Sequence, residues 1–185
     1  MHLAQAEEVD VPQDSQPAPS EPSLLAEIAL LALKVVFVAG FAGMVLVFLF
    51  GVALEPDESM MPAIREGDLI VYYRLQKQYS AGDLVIVNNG ERKEVRRVVA
   101  VAGDEVSFSD DGLIVNGYRQ SESNIYTETL PFSEGITYPL VLKDGQVFVM
   151  GDNRPQSEDS RIYGAVDIET GTEGEVMTVI RRRNF

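Results

Sequence analysis

The sequence predicts a mainly β, antiparallel β-rich extracytoplasmic domain that follows one N-terminal transmembrane helix. An uncharged run of 20 residues, 35–54, is as long as a helix that spans the ~30 Å hydrocarbon layer of a membrane. After this run, short apolar stretches with a period of two residues alternate with Asn-Gly and Asp-Gly pairs. Such pairs favour the tight turns of β-hairpins, and no stretch of this part shows a sustained helical period.

Three segments follow from this pattern. Residues 1–22 carry five acidic residues and four prolines but no Lys or Arg, and a segment of this composition is expected to be a disordered cytoplasmic tail. Residues 23–54 are predicted as the membrane anchor helix, because the apolar stretch is too long and its upstream flank too acidic for a cleaved signal peptide. Lys34 at the inner end places the C-terminal part, residues 55–185, outside the cytoplasm.

The predicted strands of residues 55–185 lie in seven apolar stretches. In chain order these are DLIVYYRL at 68–75, DLVIVNN at 83–89, VRRVVAVA at 95–102, GLIVNG at 112–117, YPLVL at 138–142, QVFVMGD at 146–152 and EVMTVIRRR at 175–183. Gly-Asp, Asn-Gly and Asp-Gly pairs separate them, so most neighbouring strands are expected to pair antiparallel.

The amino-acid composition limits the partners and the catalytic groups that are expected for this chain. The chain has 29 acidic and 15 basic residues, a net charge of -14, which argues against nucleic acid as a partner. It contains one histidine, His2, and no cysteine, so we expect no His-based triad, no Cys nucleophile, no metal site and no cofactor. Any catalysis must use hydroxyls, carboxylates, arginine or one of four lysines.

Four segments stand out for their polar side chains. Residues 55–63, EPDESMMPA, follow the apolar run directly, so Ser59 is expected near the bilayer surface. The others are GDLVIV at 82–87, VRRVVAVAGD at 95–104 and VMGDNRPQSEDSRIYG at 149–164.

Together these segments resemble bacterial type I signal peptidases, the membrane-anchored serine proteases that release exported proteins from their signal peptides. Ser59-Met60-Met61-Pro62 is similar to the family's nucleophile box, and residues 151–161 fit its pattern GDNRxxSxDSR at every specified position. The resemblance covers residues 35–185, with 107–143 as a variable excursion. It implies a single-pass protein of the bacterial cell membrane whose partners are the lipid bilayer and signal peptides or exported precursors.

The family uses a Ser/Lys dyad, in which a buried lysine takes the proton of the serine. The resemblance implies that Ser59 is the nucleophile, that its backbone N–H helps to bind the oxyanion, and that Asp57 lies in this oxyanion region. It also implies a set of supporting residues, in which Arg97 pairs with Asp152, Arg161 pairs with Asp159, and Ser157 donates or accepts a hydrogen bond at the lysine.

The position expected for the lysine base, eight residues before Asp104, holds Arg96. Arginine does not act as a base, because its pKa exceeds ~12, and an ion pair with Asp57, Asp152 or Asp159 is its expected role. Two kinds of side chain remain as alternatives for the base. One is a lysine elsewhere in the chain, namely Lys77, Lys93 or Lys143. The other is a carboxylate just before Ser59, namely Asp57 or Glu58, and neither of these positions is usual for the family's chemistry.

Two functions are compatible with these residues. The first is a signal peptidase I-like serine endopeptidase, which the retained Ser59 and the nearly complete boxes favour. The second is a catalytically impaired relative that serves as a chaperone or assembly factor for surface pili and binds pilin subunits, which Arg96 and Asp57 favour.

Overall fold

The computed structural model describes residues 23–90, 92–110, 112–122, 125–132 and 135–182. The predicted disordered tail, residues 1–22, lies outside the described residues. By its internal contacts the chain divides into two units, Met1–Ala42 and Gly43–Phe185.

The apolar N-terminal segment forms one helix, α1 (Leu24–Leu49), with 26 residues and no buried side chain. Among the described residues it is the one helix long and apolar enough to cross a membrane. It is shorter than the predicted range of 23–54, because Phe50–Leu54 form strand β1 instead. These five residues are uncharged like the helix from residue 35 onward, so hydropathy alone does not separate an apolar edge strand from the end of a membrane helix.

The prediction of a mainly β, antiparallel fold is confirmed. After β1, the strands are β2 (Leu69–Tyr73), β3 (Leu84–Asn88), β4 (Lys93–Val101), β5 (Glu105–Ser109), β6 (Gly112–Val115), β7 (Tyr118–Arg119), β8 (Leu140–Val141), β9 (Gln146–Met150), β10 (Val166–Asp167) and β11 (Thr172–Ile180). The larger sheet has the strand order β1-β2-β11-β3-β4-β9-β10 and the smaller one the order β7-β6-β5-β8. Two short helices, α2 (Ser160–Tyr163) and α3 (Ile168–Gly171), and a 3₁₀ turn at Arg154–Gln156 complete the described elements.

The larger sheet is buried on both faces around β3 and β4. Val85 and Val87 belong to one apolar cluster and Ile86, between them, to another, as the alternation of side chains along a strand requires. The second cluster contains Met60 and Ile64, which follow β1 in the chain. These two side chains therefore hold the segment between β1 and β2 against the sheet.

A close approach between β1 and β2 requires a glycine. Gly51 lies opposite Tyr72 in the antiparallel register, and a Cβ atom at this position would lie 2.1 Å from the ring carbon Cζ of Tyr72. Tyr72 is buried in the second cluster, so its ring has little room to move.

We expect Gly51→Ala to lower the free energy of unfolding by about 1–3 kcal/mol, because overpacking forces the buried ring out of place. The measurement is denaturant unfolding of the detergent-solubilised chain. Val52→Ala on the same strand is the control, since that side chain is 60% exposed and its truncation is expected to cost under about 1 kcal/mol. Equal losses in the two variants would contradict this account of Gly51.

Candidate active site

Ser59 lies in the segment between β1 and β2 and is 1% exposed. The segment that follows β9 fixes its backbone. The N–H of Asn153 donates to the carbonyl oxygen of Ser59 over 2.9 Å, and Nδ2 of Asn153 donates to the carbonyl oxygen of Glu58 over 3.1 Å. Two distant parts of the chain, residues 55–63 (the serine box) and residues 149–164 (the GDN box), are therefore joined at the serine.

Gly151 makes this junction possible. A Cβ atom at this position would lie 2.2 Å from Oγ of Ser157 and 2.7 Å from the carbonyl oxygen of Ser59. No side chain fits in that space, so only glycine lets the two segments approach each other at this point. The glycine of the GDN box is thus a requirement of packing around Ser59.

Arg96 on β4 is fully buried beside Ser59. Its Nη1 donates to Oγ of Ser59 over 2.9 Å and to the carbonyl oxygen of Val95 over 2.7 Å. Its Nη2 donates to Oε2 of Glu94 over 2.6 Å and to the carbonyl oxygen of Glu158 over 3.0 Å. The guanidinium therefore lies beside the serine, at the position where the family resemblance implies a lysine, but it acts only as a hydrogen-bond donor.

The expected ion-pair partners of Arg96 were wrong. The guanidinium pairs with Glu94 and not with Asp57, Asp152 or Asp159. Glu94 is two residues away on the same strand, and side chains at this spacing lie on the same face of a sheet. Glu94 is itself only 4% exposed, so the pair is buried as a unit.

The structure brings together both pairs of supporting residues. The carboxylate of Asp152 accepts from Nε and Nη2 of Arg97 over 2.7 and 2.6 Å. The carboxylate of Asp159 accepts from Nε and Nη2 of Arg161, each over 2.8 Å. Both contacts use two parallel hydrogen bonds, the geometry that fixes an arginine most firmly against a carboxylate.

Ser157 is also beside the junction, but its hydroxyl has no role in the described hydrogen bonds. Its Oγ is buried without a hydrogen-bond partner among the described residues. The family resemblance implies a hydrogen bond between this hydroxyl and the lysine amine, and the chain has Arg96 in place of that lysine. The site therefore retains the polar group that a lysine would need.

Two of the lysines considered as alternative bases have other partners. Nζ of Lys93 lies 3.2 Å from Oε1 of Glu173, and Nζ of Lys77 donates to the carbonyl oxygen of Thr172 over 2.6 Å. The structure shows neither amine in contact with Ser59, so these lysines remain outside the candidate site.

Asp57 binds the backbone N–H that the family assigns to the oxyanion. Its Oδ1 accepts from the N–H of Ser59 over 2.9 Å. Partial burial alone would raise the pKa of Asp57. The hydrogen bonds from the hydroxyl and the N–H of Ser59, together with the positive charges of Arg96 and Arg92, outweigh burial, so the pKa is lowered and the carboxylate is ionised at neutral pH. An oxyanion at this N–H must therefore displace a charged side chain.

From the sequence, only the carboxylates of residues 57 and 58 were considered as alternatives to the lysines, and Glu55 was missed. Glu55 is 2% exposed, and its Oε1 lies 3.4 Å from Oγ of Ser59. Its backbone is held on both sides, since its N–H donates to the carbonyl oxygen of Asp68 and its carbonyl oxygen accepts from the N–H of Gly67. The available signal was that Glu55 is the first charge after the apolar run.

The surroundings of Glu55 place its titration near neutrality. Burial raises its pKa from the ordinary value of 4.5 to about 7, although the positive charge of Arg96 opposes this effect. The negative charge of Asp57 raises the pKa further. The carboxyl of Glu55 thus contacts Oγ of Ser59 and changes charge near pH 7.

One edge of β4 is open beside Ser59. Val98 exchanges hydrogen bonds with the segment before β3, through the carbonyl oxygen of Asp83 and the N–H of Gly82. Because the direction of main-chain groups alternates along a strand, Val95 directs its own N–H and carbonyl oxygen towards the opposite edge. Strand β9 pairs with β4 only from Arg97 onward, so no described strand covers Val95 there.

Side chains occupy this open edge. The carbonyl oxygen of Val95 accepts from Nη1 of Arg96, and its N–H donates to Oε2 of Glu55 over 3.4 Å. Both groups that would pair with an added strand are thus bound by the two charged residues that also contact Ser59.

Comparison with known proteins gives one consistent result. A family model described as "Signal peptidase, peptidase S26" matches residues 28–180. Similar curated proteins include signal peptidase I of Bacillus licheniformis, 32% identical over 62% of this chain and 67% of the relative, and signal peptidase I P of Bacillus subtilis subsp. natto, 31% identical over 71% and 74%. The crystal structure of a signal peptidase I from Enterococcus faecalis aligns with a TM-score of 0.43 and 26% identity over 55% of this chain and 97% of that one.

The raised pKa of Glu55 predicts how stability changes with pH. The folded chain holds this proton more tightly than the unfolded chain, so the stabilisation is complete below pH 4.5 and is lost as the pH rises through about 7. We expect Glu55→Gln to remove a fall on the order of 3 kcal/mol in the free energy of unfolding between pH 4.5 and 8.

The measurement is denaturant unfolding of the detergent-solubilised chain at several pH values. Glu58→Gln is the matched control, because the side chain of Glu58 is exposed and its removal leaves the pH dependence as in the unsubstituted chain. A pH dependence that is the same in all three proteins would show that Glu55 has an ordinary pKa.

Proposed function

The chain belongs to the signal peptidase family, peptidase S26, and we propose that it is a membrane-anchored serine endopeptidase in which Ser59 attacks signal peptides or exported precursor proteins. The apolar helix α1 supports anchoring in the bacterial cell membrane. The proposal includes the single-pass topology in which Lys34 stays on the cytoplasmic side and the β domain lies outside.

The observation that carries the proposal is the position of Ser59 beside the open edge of β4. A peptide in extended conformation can add to such an edge by main-chain hydrogen bonds, here to Val95. Its scissile carbonyl would then lie near Oγ of Ser59, which the GDN box holds in place through Asn153 and Gly151. Correct placement of nucleophile and carbonyl is itself a large part of catalysis.

Stabilisation of the oxyanion would come from the backbone N–H of Ser59. Donors of this kind act on the charge that develops in the transition state, and one is worth about 100- to 1000-fold in rate. Asp57 occupies this N–H in the resting structure, so the proposed reaction begins with displacement of that carboxylate.

A second function is favoured by the same contacts. Nη1 of Arg96 donates to the serine hydroxyl, and Asp57 holds the serine N–H. Both contacts weaken Ser59 as a nucleophile, as expected for a catalytically impaired signal-peptidase-like chaperone or assembly factor, for example in surface pili. Such a protein would use the edge at Val95 for binding only.

Cleavage of a reporter preprotein by the detergent-purified chain tests the proposal. We expect turnover that Ser59→Ala lowers by at least about a thousandfold, because loss of the nucleophile removes the covalent route. Ser80→Ala, at an exposed serine, is the control and is expected to leave turnover unchanged.

Arg96→Lys separates the two functions. If only this variant cleaves the reporter, the unsubstituted site is impaired and the second function is supported. Turnover by the unsubstituted chain that survives Ser59→Ala would contradict attack by Ser59.

We also expect Asp57→Ala to raise kcat by about tenfold, because a hydrogen bond to a charged group, worth about 1.5 kcal/mol or more, no longer occupies the oxyanion donor. The measurement is steady-state cleavage of the same reporter, with Glu58→Ala as the neighbouring control. A lower or unchanged kcat in Asp57→Ala would mean that the carboxylate does not compete with the oxyanion.

A further inference from the structure

Resting on the proposed function, we propose that Glu55 is the general base that takes the proton of Ser59, in place of the lysine that this chain lacks. Glu55 is a catalytic residue in this proposal, since its Oε1 touches the attacking oxygen itself. The site would then work as a Ser/Glu dyad with Arg96 as a fixed donor.

The geometry around the carboxylate supports this assignment. Oε1 of Glu55 lies 3.4 Å from Oγ of Ser59, a separation typical of catalytic hydrogen bonds that tighten only when substrate binds. Oε2 accepts from the N–H of Val95, which orients the carboxylate plane. Backbone hydrogen bonds with Gly67 and Asp68 fix the main chain of Glu55, so the carboxylate starts from a fixed backbone position.

Arg96 decides where the serine proton points. Nη1 of Arg96 donates to Oγ of Ser59, so it occupies a lone pair of the oxygen and excludes the serine proton from that side. Among the described residues this hydroxyl has two carboxylate acceptors, Oε1 of Glu55 and the carboxylate of Asp57. Because the proposed reaction begins with displacement of Asp57, the hydroxyl then accepts from Arg96 and donates to Glu55, which is the arrangement that a base requires.

The charged groups near Glu55 leave it able to change its protonation near neutral pH. Burial raises its pKa to about 7, Arg96 lowers it and Asp57 raises it. The charge of Arg96 is shared with Glu94, its ion-pair partner on the same strand. On the turn that holds Glu55, the carboxylate of Asp68 accepts from backbone N–H groups of Arg65 and Arg182.

The proposed reaction conserves atoms and charge. Oγ of Ser59 bonds to the scissile carbonyl carbon while its proton moves to Oε1 of Glu55, and the carbonyl electron pair collects on the oxygen. The C–N bond then breaks, and Glu55 returns the proton to the leaving amine. Water next gives a proton to Glu55 and its hydroxide to the acyl carbon, and the ester bond breaks as Ser59 recovers the proton.

The decisive experiment compares Glu55→Gln with Glu105→Gln, at an exposed glutamate outside the site, in cleavage of the reporter preprotein by the full-length chain in detergent. We expect Glu55→Gln to lose at least about 100-fold in kcat/KM, the usual contribution of a general base, and Glu105→Gln to lose less than about threefold. In the unsubstituted chain and in Glu105→Gln, kcat/KM is expected to rise with pH through about 7, because the base must be ionised.

A rescue distinguishes a lost base from a lost fold. Arg96→Lys in the Glu55→Gln background supplies an amine beside the orphaned hydroxyl of Ser157, and we expect it to restore cleavage above that of Glu55→Gln. Where the substitution also unfolds the chain, the pH profile of the unsubstituted protein decides, and a profile that is flat from about pH 5.5 to 8.5 overturns the proposal.

The outcomes separate this inference from the proposed function. If the unsubstituted chain cleaves, Ser59→Ala does not, and Glu55→Gln keeps full activity, the endopeptidase stands and the role of Glu55 is overturned. If the unsubstituted chain shows no cleavage that depends on Ser59, both are overturned.

Discussion

The burial of the Arg96 guanidinium is the constraint on which the candidate site depends. A cation removed from water costs several kcal/mol unless charged and polar groups replace its hydration. The chain supplies Glu94 as the counter-charge, two backbone carbonyl oxygens and the hydroxyl of Ser59. Removal of any one partner would leave a buried donor unsatisfied, so the conformations of β4, the serine box and the segment at Glu158 are fixed together.

This constraint also explains the state of Glu55. Burial raises the pKa of Glu55 by more than the positive charge of Arg96, which is paired with Glu94, lowers it. A lysine at position 96 would be a smaller donor without the fork that reaches both Glu94 and Glu158. With lysine at position 96 the amine would take the proton of Ser59. With arginine there, the proposed acceptor of that proton is the carboxylate of Glu55.

The sequence was sufficient for the parts of the fold that depend on local pattern. Alternating apolar residues and turn pairs predicted the antiparallel β domain, and the uncharged run predicted an apolar helix, which the structure confirms. The end of that helix was misplaced, since Phe50–Leu54 are as apolar as the helix and differ from it only in their pairing with β2. Hydropathy and residue periodicity describe only neighbouring residues, so they do not predict that residues 50–54 pair with β2.

The same limit applies to the site. The pairs Arg97–Asp152 and Arg161–Asp159 came from a family pattern, and their members are in contact. The partner of Arg96 was mistaken because the pattern describes a lysine at that position and contains no counter-ion for a permanent cation. Glu55 was missed because its approach to Ser59 depends on how the turn at Gly67 and Asp68 holds the end of β1, a contact between segments that sequence spacing does not specify.

The double hydrogen bond of Nη1 of Arg96 makes the guanidinium an internal competitor for the edge of β4. A strand that adds at Val95 must take the carbonyl oxygen that Arg96 holds, and the same nitrogen also holds Oγ of Ser59. The affinity for an added strand is therefore reduced by the cost of breaking the hydrogen bond between Nη1 and the carbonyl oxygen of Val95.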